Sequence, residues 1–349
     1  MEMNHKILSG ITKMRVQYFC MISVLTLSLF SQPLSGQAAG DEKQKKSMME
    51  LLKKEIPAQA DVVVFFDFSH LKKNVHSLAA FAESISSNLV MYMPANTKAG
   101  DPAATPDAAV FVGNEKTGYV LFPCIMPQKK FVESVRKNAS AFAEHKFNNR
   151  IYYAGNFTPS AIKNTGKGSF VFTFVTPEIV AVAENRRSSR NLLVSSLETK
   201  KGLSPAMEKL LSARRKGAFI YGGIHMKGIQ KRVGRFFPAS AGLNDANFDV
   251  CISPGNTLNM QMIIEADSAE TAASLAMVLN SYKMLLTGLL RSAEANAAQQ
   301  AGTAVKLTPP ERLVNITIEN TLVKLVMDIP AEMLKTLGAF AVMTGMTGK

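Results

Sequence analysis

The stretch Asp61 to Phe68 reads DVVVFFDF and is the strongest strand signal in the chain. A continuous apolar run of this length, rich in β-branched and aromatic residues, is typical of a strand buried on both faces. A second run, Ala218 to Ile224, reads AFIYGGI. Each run leads into a similar pattern, His70-Leu71-Lys72 in the first and His225-Met226-Lys227 in the second. The sequence therefore predicts two halves that begin with equivalent strands.

The later elements are predicted to follow in the same order in both halves. Hairpins are expected at Gly113-Asn114 and Gly255-Asn256, because Gly and Asn accept the positive φ that tight turns need. A helix comes next in each half. In the first half its apolar face is predicted to include Phe131, Val135 and Phe142, and in the second half it runs from Ser268, as N-cap, to about Arg291. Further strands and a final helix complete each half.

This order, β-α-β-β-α-β-β with a helix after it, predicts an α+β fold of two tandem ferredoxin-like-derived repeats. Mostly antiparallel sheets with helices on one face are expected. The predicted boundaries are a signal peptide at 1–38, a short helix or linker at 39–56, a first repeat at 57–200, a connecting helix at 201–216 and a second repeat at 217–349. Residues 96–107 and 292–310 are expected to be mobile.

The N-terminus has the features of an export signal. Lys6, Lys13 and Arg15 precede an uncharged, mostly apolar run from Tyr18 to Phe30, and small residues follow. Cleavage is predicted after Ala38, which places the mature protein in the periplasm or at the cell surface and makes nucleic acid an improbable partner. A retained membrane anchor is the alternative, although the apolar run is shorter than the roughly 20 residues of a spanning helix. No transmembrane span is expected after cleavage.

Positive charge is concentrated in one part of the sequence. The formal net charge is +13, and residues 186–235 contain thirteen Lys and Arg against only Glu198 and Glu208. We name nine of these residues the basic strip, and they are the candidate binding residues: Arg186, Arg187, Arg190, Arg214, Arg215, Lys216, Lys231, Arg232 and Arg235. Anionic lipid, lipopolysaccharide or an acidic glycan would suit such a strip. The alternative is a solvated surface that only keeps the protein soluble.

Catalytic and metal-binding signals are weak. Ser69-His70-Leu71-Lys72, Ser86-Ser87-Asn88 and Lys116-Thr117-Gly118 match the serine β-lactamase elements in order, but their spacing is far too short for that fold. No histidine has ligand spacing, so no metal or cofactor is predicted. Cys124 and Cys251 are expected to be separate buried thiols, and a disulfide between them is left open.

The chain resembles the exported tandem α+β-repeat proteins of planctomycete and verrucomicrobial bacteria, a group without an assigned activity. The resemblance rests on Ile56-Pro57-Ala58-Gln59-Ala60-Asp61 before the strand Val62 to Asp67, and on the repeated order of elements. It implies an exported two-repeat protein and no catalytic residues.

We therefore expect a non-catalytic cell-envelope protein that binds or scaffolds an anionic component through the basic strip. A periplasmic hydrolase with an unidentified site is the first alternative, and a deep pocket that holds Asp67 or His70 would support it. A carrier with a cavity for a lipid or an apolar peptide is the second.

Overall fold

The fold was examined in a computed structural model of the chain. The structure describes residues 42–68, 108–114, 117–124, 126–157, 168–199, 201–234, 241–253, 257–301 and 313–330. The predicted signal peptide, the segment 96–107 and His70 lie outside these ranges, and the predictions about them stay predictions.

The strands form one twelve-stranded sheet in which every described pair is antiparallel. From edge to edge the order is β11-β12-β10-β9-β8-β1-β2-β3-β7-β6-β5-β4. The strands are β1 (Val62–Asp67), β2 (Ala108–Gly113), β3 (Gly118–Pro123), β4 (Ala139–Phe147), β5 (Arg150–Phe157), β6 (Gly168–Thr176), β7 (Ile179–Glu184), β8 (Ile220–His225), β9 (Leu243–Ser253), β10 (Thr257–Ala266), β11 (Val314–Glu319) and β12 (Leu322–Pro330).

Six helices lie in the described ranges: α1 (Glu42–Lys54), α2 (Gln128–Asn138), α3 (Arg187–Glu198), α4 (Pro205–Ser212), α5 (Met226–Val233) and α6 (Ala269–Ala301). Two of their starts follow the N-cap rule. The Ser204 hydroxyl accepts from the Met207 N–H before α4, and the Ser268 hydroxyl accepts from the Thr271 N–H before α6, both at 3.1 Å. The predicted N-cap at Ser268 is therefore confirmed, and α4 lies within the segment 201–216 for which a helix is predicted.

The helices cover both faces of the sheet. On the first face, Phe66 and Phe172 pack with residues of α2, α5 and α6, among them Phe131, Met226 and Leu275. On the second face, β-strand residues pack with α1, α3 and α4 through Leu52, Leu193, Met207 and other side chains. The prediction of helices on one face is wrong, because β1 alternates and buries apolar side chains on both sides.

The coarse prediction, an α+β fold with a mostly antiparallel sheet, is confirmed. The strand pairing differs from the ferredoxin-like plan, in which strands joined by a helix are separated by another strand. Here β8 lies directly beside β9, to which α5 joins it, and the pair is antiparallel. β1 also lies directly beside β2, its neighbour among the described strands, and is antiparallel to it. The halves also share one sheet, since β1 pairs with β8 from Val62–Ile224 to Phe66–Ile220.

Two local predictions are wrong. Phe142 lies on β4 and not on the helix, because α2 ends at Asn138. The helix predicted to end at about Arg291 continues through residues 292–301 to Ala301. Their Ala and Gln residues are strong helix formers, which outweighs the low complexity that suggested a loop.

Candidate functional site

The basic strip separates into three groups in the structure. Arg186, Arg187 and Arg190 lie at the start of α3, and we call them the α3 cluster. Arg214, Arg215 and Lys216 follow α4, and we call them the α4 cluster. Lys231 and Arg232 lie on α5, which packs on the opposite face of the sheet, and Arg235 lies outside the described residues.

The two clusters on the second face are also far apart. Arg186 follows β7. The last residues of β7 are level with the start of β1, because Ala183 pairs with Tyr119, Tyr119 pairs with Val112, and Val112 pairs with Val63. The α4 cluster precedes Ile220, which pairs with Phe66 near the end of β1. Three strands separate β7 from β8, which corresponds to roughly 19 Å across the sheet at about 4.8 Å per strand. One continuous basic surface is therefore not formed.

The α3 cluster is exposed and poorly neutralised. Arg186, Arg187 and Arg190 are all exposed, and the Arg186 side chain is 63% accessible. Arg186 Nε pairs with Glu184 Oε1 at 2.6 Å. Among the described residues, Arg187 and Arg190 make no ion pair. Because residues three apart on a helix are neighbours, these two guanidinium groups share one side of α3.

The start of α3 lacks the groups that normally stabilise a helix N-terminus. Its N-cap residue is Arg186, which makes no side-chain capping bond, and its first turn contains no acid. In contrast, α4 has Ser204 as a capping residue and Glu208 in its first turn. A helix N-terminus carries partial positive charge and favours anions. Arginines there add repulsion, which an anionic group would relieve.

Within the α4 cluster, Arg215 is engaged inside the protein. Its Nε donates to Asp249 Oδ1 at 2.7 Å, and its backbone N–H donates to Asp249 Oδ2 at 2.9 Å. Its terminal nitrogens reach Asn259, whose amide in turn donates to the Asp328 carboxylate. The Asp249 side chain is only 4% exposed. A buried carboxylate needs such a partner, so Arg215 acts as structural support for β9, β10 and β12.

Arg214 is also held by a neighbour. Its guanidinium carbon lies 4.1 Å from the centre of the Tyr221 ring, which is a cation–π contact. Lys216 is exposed and is the least constrained member of the α4 cluster. Burial raises the pKa of Tyr221, and Arg214 opposes that shift in part. Two of the three charges in this cluster therefore have partners within the protein.

Asp249 is the most consequential residue that the sequence interpretation missed. The acidic residue named from the sequence is Asp67, whereas Asp249 lies between Phe248 and Val250 on β9 and is 3% exposed. Asp67 is half-buried at the last position of β1. The signal for Asp249 is present in the sequence, since an acid between the apolar residues Phe248 and Val250 requires a partner when it is buried.

A layer of hydroxyl groups lies beneath α3. Thr117 Oγ1 and Ser189 Oγ are 2.5 Å apart and buried, so Thr117, one of the β-lactamase-like elements, has a packing role. Tyr119 is 2% exposed on the same face, and Ser196 of α3 is buried near it. Burial strongly raises the pKa of Tyr119. This layer fixes α3, and with it the α3 cluster, on β3 and β7.

Other candidate chemistry is scattered over the described residues. Cys124 and Cys251 are both free and half-buried, and burial raises the pKa of each thiol. The prediction of two separate thiols is confirmed. His225 Nδ1 lies 2.8 Å from Asp245 Oδ1 at the end of β8. Within the described ranges, no group of three or more His, Cys, Asp or Glu side chains is placed to hold a metal ion.

A cleft of about 190 Å³ lies between the end of α1 and the β6–β7 turn. Its lining residues are Leu51, Lys54, Glu55, Thr176, Pro177, Glu178 and Ile179. Asp67, the described residue named for the hydrolase alternative, does not line it. Glu55 is already paired with Lys201.

Comparison with protein-family models, with curated proteins and with solved structures returns no match. The resemblance to exported tandem-repeat proteins therefore stays a prediction. None of the helices in the described ranges combines the length and the apolar character that crossing a membrane requires.

Proposed function

We propose that the protein is an exported, non-catalytic binding module of the cell envelope, periplasmic or surface-associated, that contacts an anionic envelope component through the α3 cluster. The observation that carries this proposal is the exposure of Arg187 and Arg190 at the uncapped start of α3, without an ion-pair partner among the described residues. Export rests on the predicted signal peptide.

The support for an anionic partner is physical. Three arginines at the positive end of a helix repel one another and the helix dipole, and the ion pair with Glu184 neutralises only one of them. Phosphate groups accept hydrogen bonds from guanidinium groups and from free N–H groups of a first helical turn. A phosphate-bearing lipid headgroup or lipopolysaccharide therefore fits better than a neutral ligand.

The scaffold part of the proposal is a tandem duplication. Outward from the central β1–β8 pair, the strand order is 1-2-3-7-6 in one half and 8-9-10-12-11 in the other. These orders are equivalent when β7 is matched with β12 and β6 with β11. The first half carries β5 and β4 in addition. A shared order of five strands supports descent of both halves from one repeated unit. The resulting broad sheet serves as the scaffold of the binding module.

The test is binding of the purified protein to vesicles of anionic phospholipid, to lipopolysaccharide and to an acidic glycan at low and high salt. We expect retention on the phosphate-bearing surfaces at low salt and release at high salt, because the screening length falls from about 10 Å at 0.1 M to about 3 Å at 1 M. Neutral phosphatidylcholine vesicles are the control. Absence of retention at low salt, or retention that salt does not weaken, contradicts the proposal.

A further inference from the structure

The two edges of the sheet differ in how they are protected. At one edge, β4 contains a register shift between Ser140 and Ala143, and Ala141 has a φ of 55°. Its later residues Glu144, His145 and Lys146 are exposed. Bulges and charged residues are the devices that keep an edge strand from pairing with another chain.

The opposite edge has none of these devices along most of its length. β11 reads VNITIE, pairs with β12 in unbroken register from Val314 to Glu319, and carries its one charge at the last position. Among the described residues, β12 is its only strand neighbour. Ile318 of β11 is 46% exposed, and Leu322, the first residue of β12, is 39% exposed. A regular, uncharged, β-branched edge of this kind is a template for strand addition.

β11 is also complementary to itself. Val314, Ile316 and Ile318 point to the first face, where the first two pack with Leu325 and Met327. Asn315 and Thr317 point to the second face and are exposed. If two copies pair antiparallel about Ile316, then Ile316 meets itself, Val314 meets Ile318, and Asn315 meets Thr317. From Val314 to Ile318, apolar residues face apolar residues, polar residues face polar residues, and no like charges are opposed. Glu319 lies opposite Leu313, at the end of the paired segment.

We propose that two copies of this chain associate through β11, in antiparallel pairing centred on Ile316, to form a twofold-symmetric dimer with one continuous sheet. The molecule already contains a junction of this type, because β1 and β8 join its two halves by antiparallel pairing. A twofold axis perpendicular to the sheet exchanges the strands but not the faces. Both copies of α6, which packs on β11, therefore lie on the same side of the joined sheet.

The first test is the molar mass of the protein, expressed from its full-length gene and purified as the cell processes it. Sedimentation equilibrium over a dilution series is expected to show a reversible monomer–dimer equilibrium. A mass equal to one chain at every concentration overturns the proposal.

The second test fixes the register. Asn315→Lys together with Thr317→Lys places like charges opposite each other twice, and we expect the dissociation constant of the dimer to rise about tenfold or more. Asn315→Lys together with Thr317→Glu places opposite charges across the join in this register alone and is expected to restore the dimer. Both positions are exposed, so the variants keep the monomer fold, which circular dichroism checks.

The matched control is Glu144→Lys on β4, which makes the same change in net charge at the protected edge. Its dimer is expected to match the wild type. A dimer that survives the double lysine substitution, that fails to return with the Lys/Glu combination, or that dissociates with Glu144→Lys contradicts pairing through β11.

Discussion

The α3 cluster and the α4 cluster are alike in composition, because each has three basic residues within a few positions of the sequence. They differ in what surrounds them. Arg215 is hydrogen-bonded to the buried Asp249, and Arg214 lies over Tyr221. At the α3 cluster, the only ion pair made with a described residue is the exposed one between Arg186 and Glu184.

This difference shows that a count of charges along a sequence does not measure the charge that a partner can reach. A guanidinium that compensates a buried carboxylate stabilises the fold and has few donors left for a ligand. The exposed guanidinium groups of Arg187 and Arg190 form no ion pair with a described residue and keep their donors for a ligand. Substitutions in the α4 cluster should therefore mainly lower stability, whereas substitutions in the α3 cluster should mainly weaken binding of an anionic partner.

The largest effect on stability is expected at the α4 cluster. Asp249→Ala removes the buried partner of Arg215 and should lower the free energy of unfolding by about 3 kcal/mol, because Arg215 keeps its charge and loses its carboxylate partner. Urea denaturation measures it. The double variant with Arg215→Met should recover part of the loss. A change below about 1 kcal/mol would show that solvent already screens the pair.

The next effect is the pH dependence of stability that Tyr119, the buried tyrosine beneath the α3 cluster, should produce. The pKa of Tyr119 is raised by burial, so above about pH 10 the unfolded chain releases this proton while the folded protein retains it. Stability should then fall as pH rises, by up to about 1.4 kcal/mol per pH unit from this group. Unfolding at alkaline pH measures the slope. Tyr119→Phe should make it shallower, and an unchanged slope would mean that Tyr119 does not contribute.

A smaller effect is expected at Arg214. Arg214→Ala removes the contact with the Tyr221 ring and should cost about 0.5–1 kcal/mol. Arg187→Ala, which removes an exposed arginine with no ion pair to a described residue, is the matched control and should change stability by less than about 0.5 kcal/mol. Thermal unfolding compares the two. Equal costs would remove the distinction between the clusters.

Much of the fold follows from local sequence patterns. The runs at 61–68 and 218–224 predicted the two central strands. The pairing of β1 with β8 could not be predicted in this way, because both strands are apolar on both faces and many partners would suit them. Because these strands are apolar on both faces, their sequences also did not reveal that helices cover the second face of the sheet.

The site was less predictable for a different reason. The basic strip was recognised from its composition, but its separation into clusters depends on which face each helix covers. Arg215 looks like its neighbours in sequence, and only the packing of β9 against residue 215 gives it a buried partner. The uncapped start of α3 could not be predicted either, because Asn185, Ser188 and Ser189 are all common N-cap residues, and only the structure shows that the helix begins after Arg186.

The most direct test of the account compares two triple variants, each of which loses three positive charges. Arg186→Gln, Arg187→Gln and Arg190→Gln remove the α3 cluster, and Lys209→Gln, Arg214→Gln and Lys216→Gln change the region of the α4 cluster. Cosedimentation with anionic phospholipid vesicles at low salt measures the affinity. We expect the first variant to bind about a hundredfold more weakly, at about 1 kcal/mol per basic residue, and the second to bind almost as wild type. Equal losses would show that net charge alone drives binding and would contradict the account.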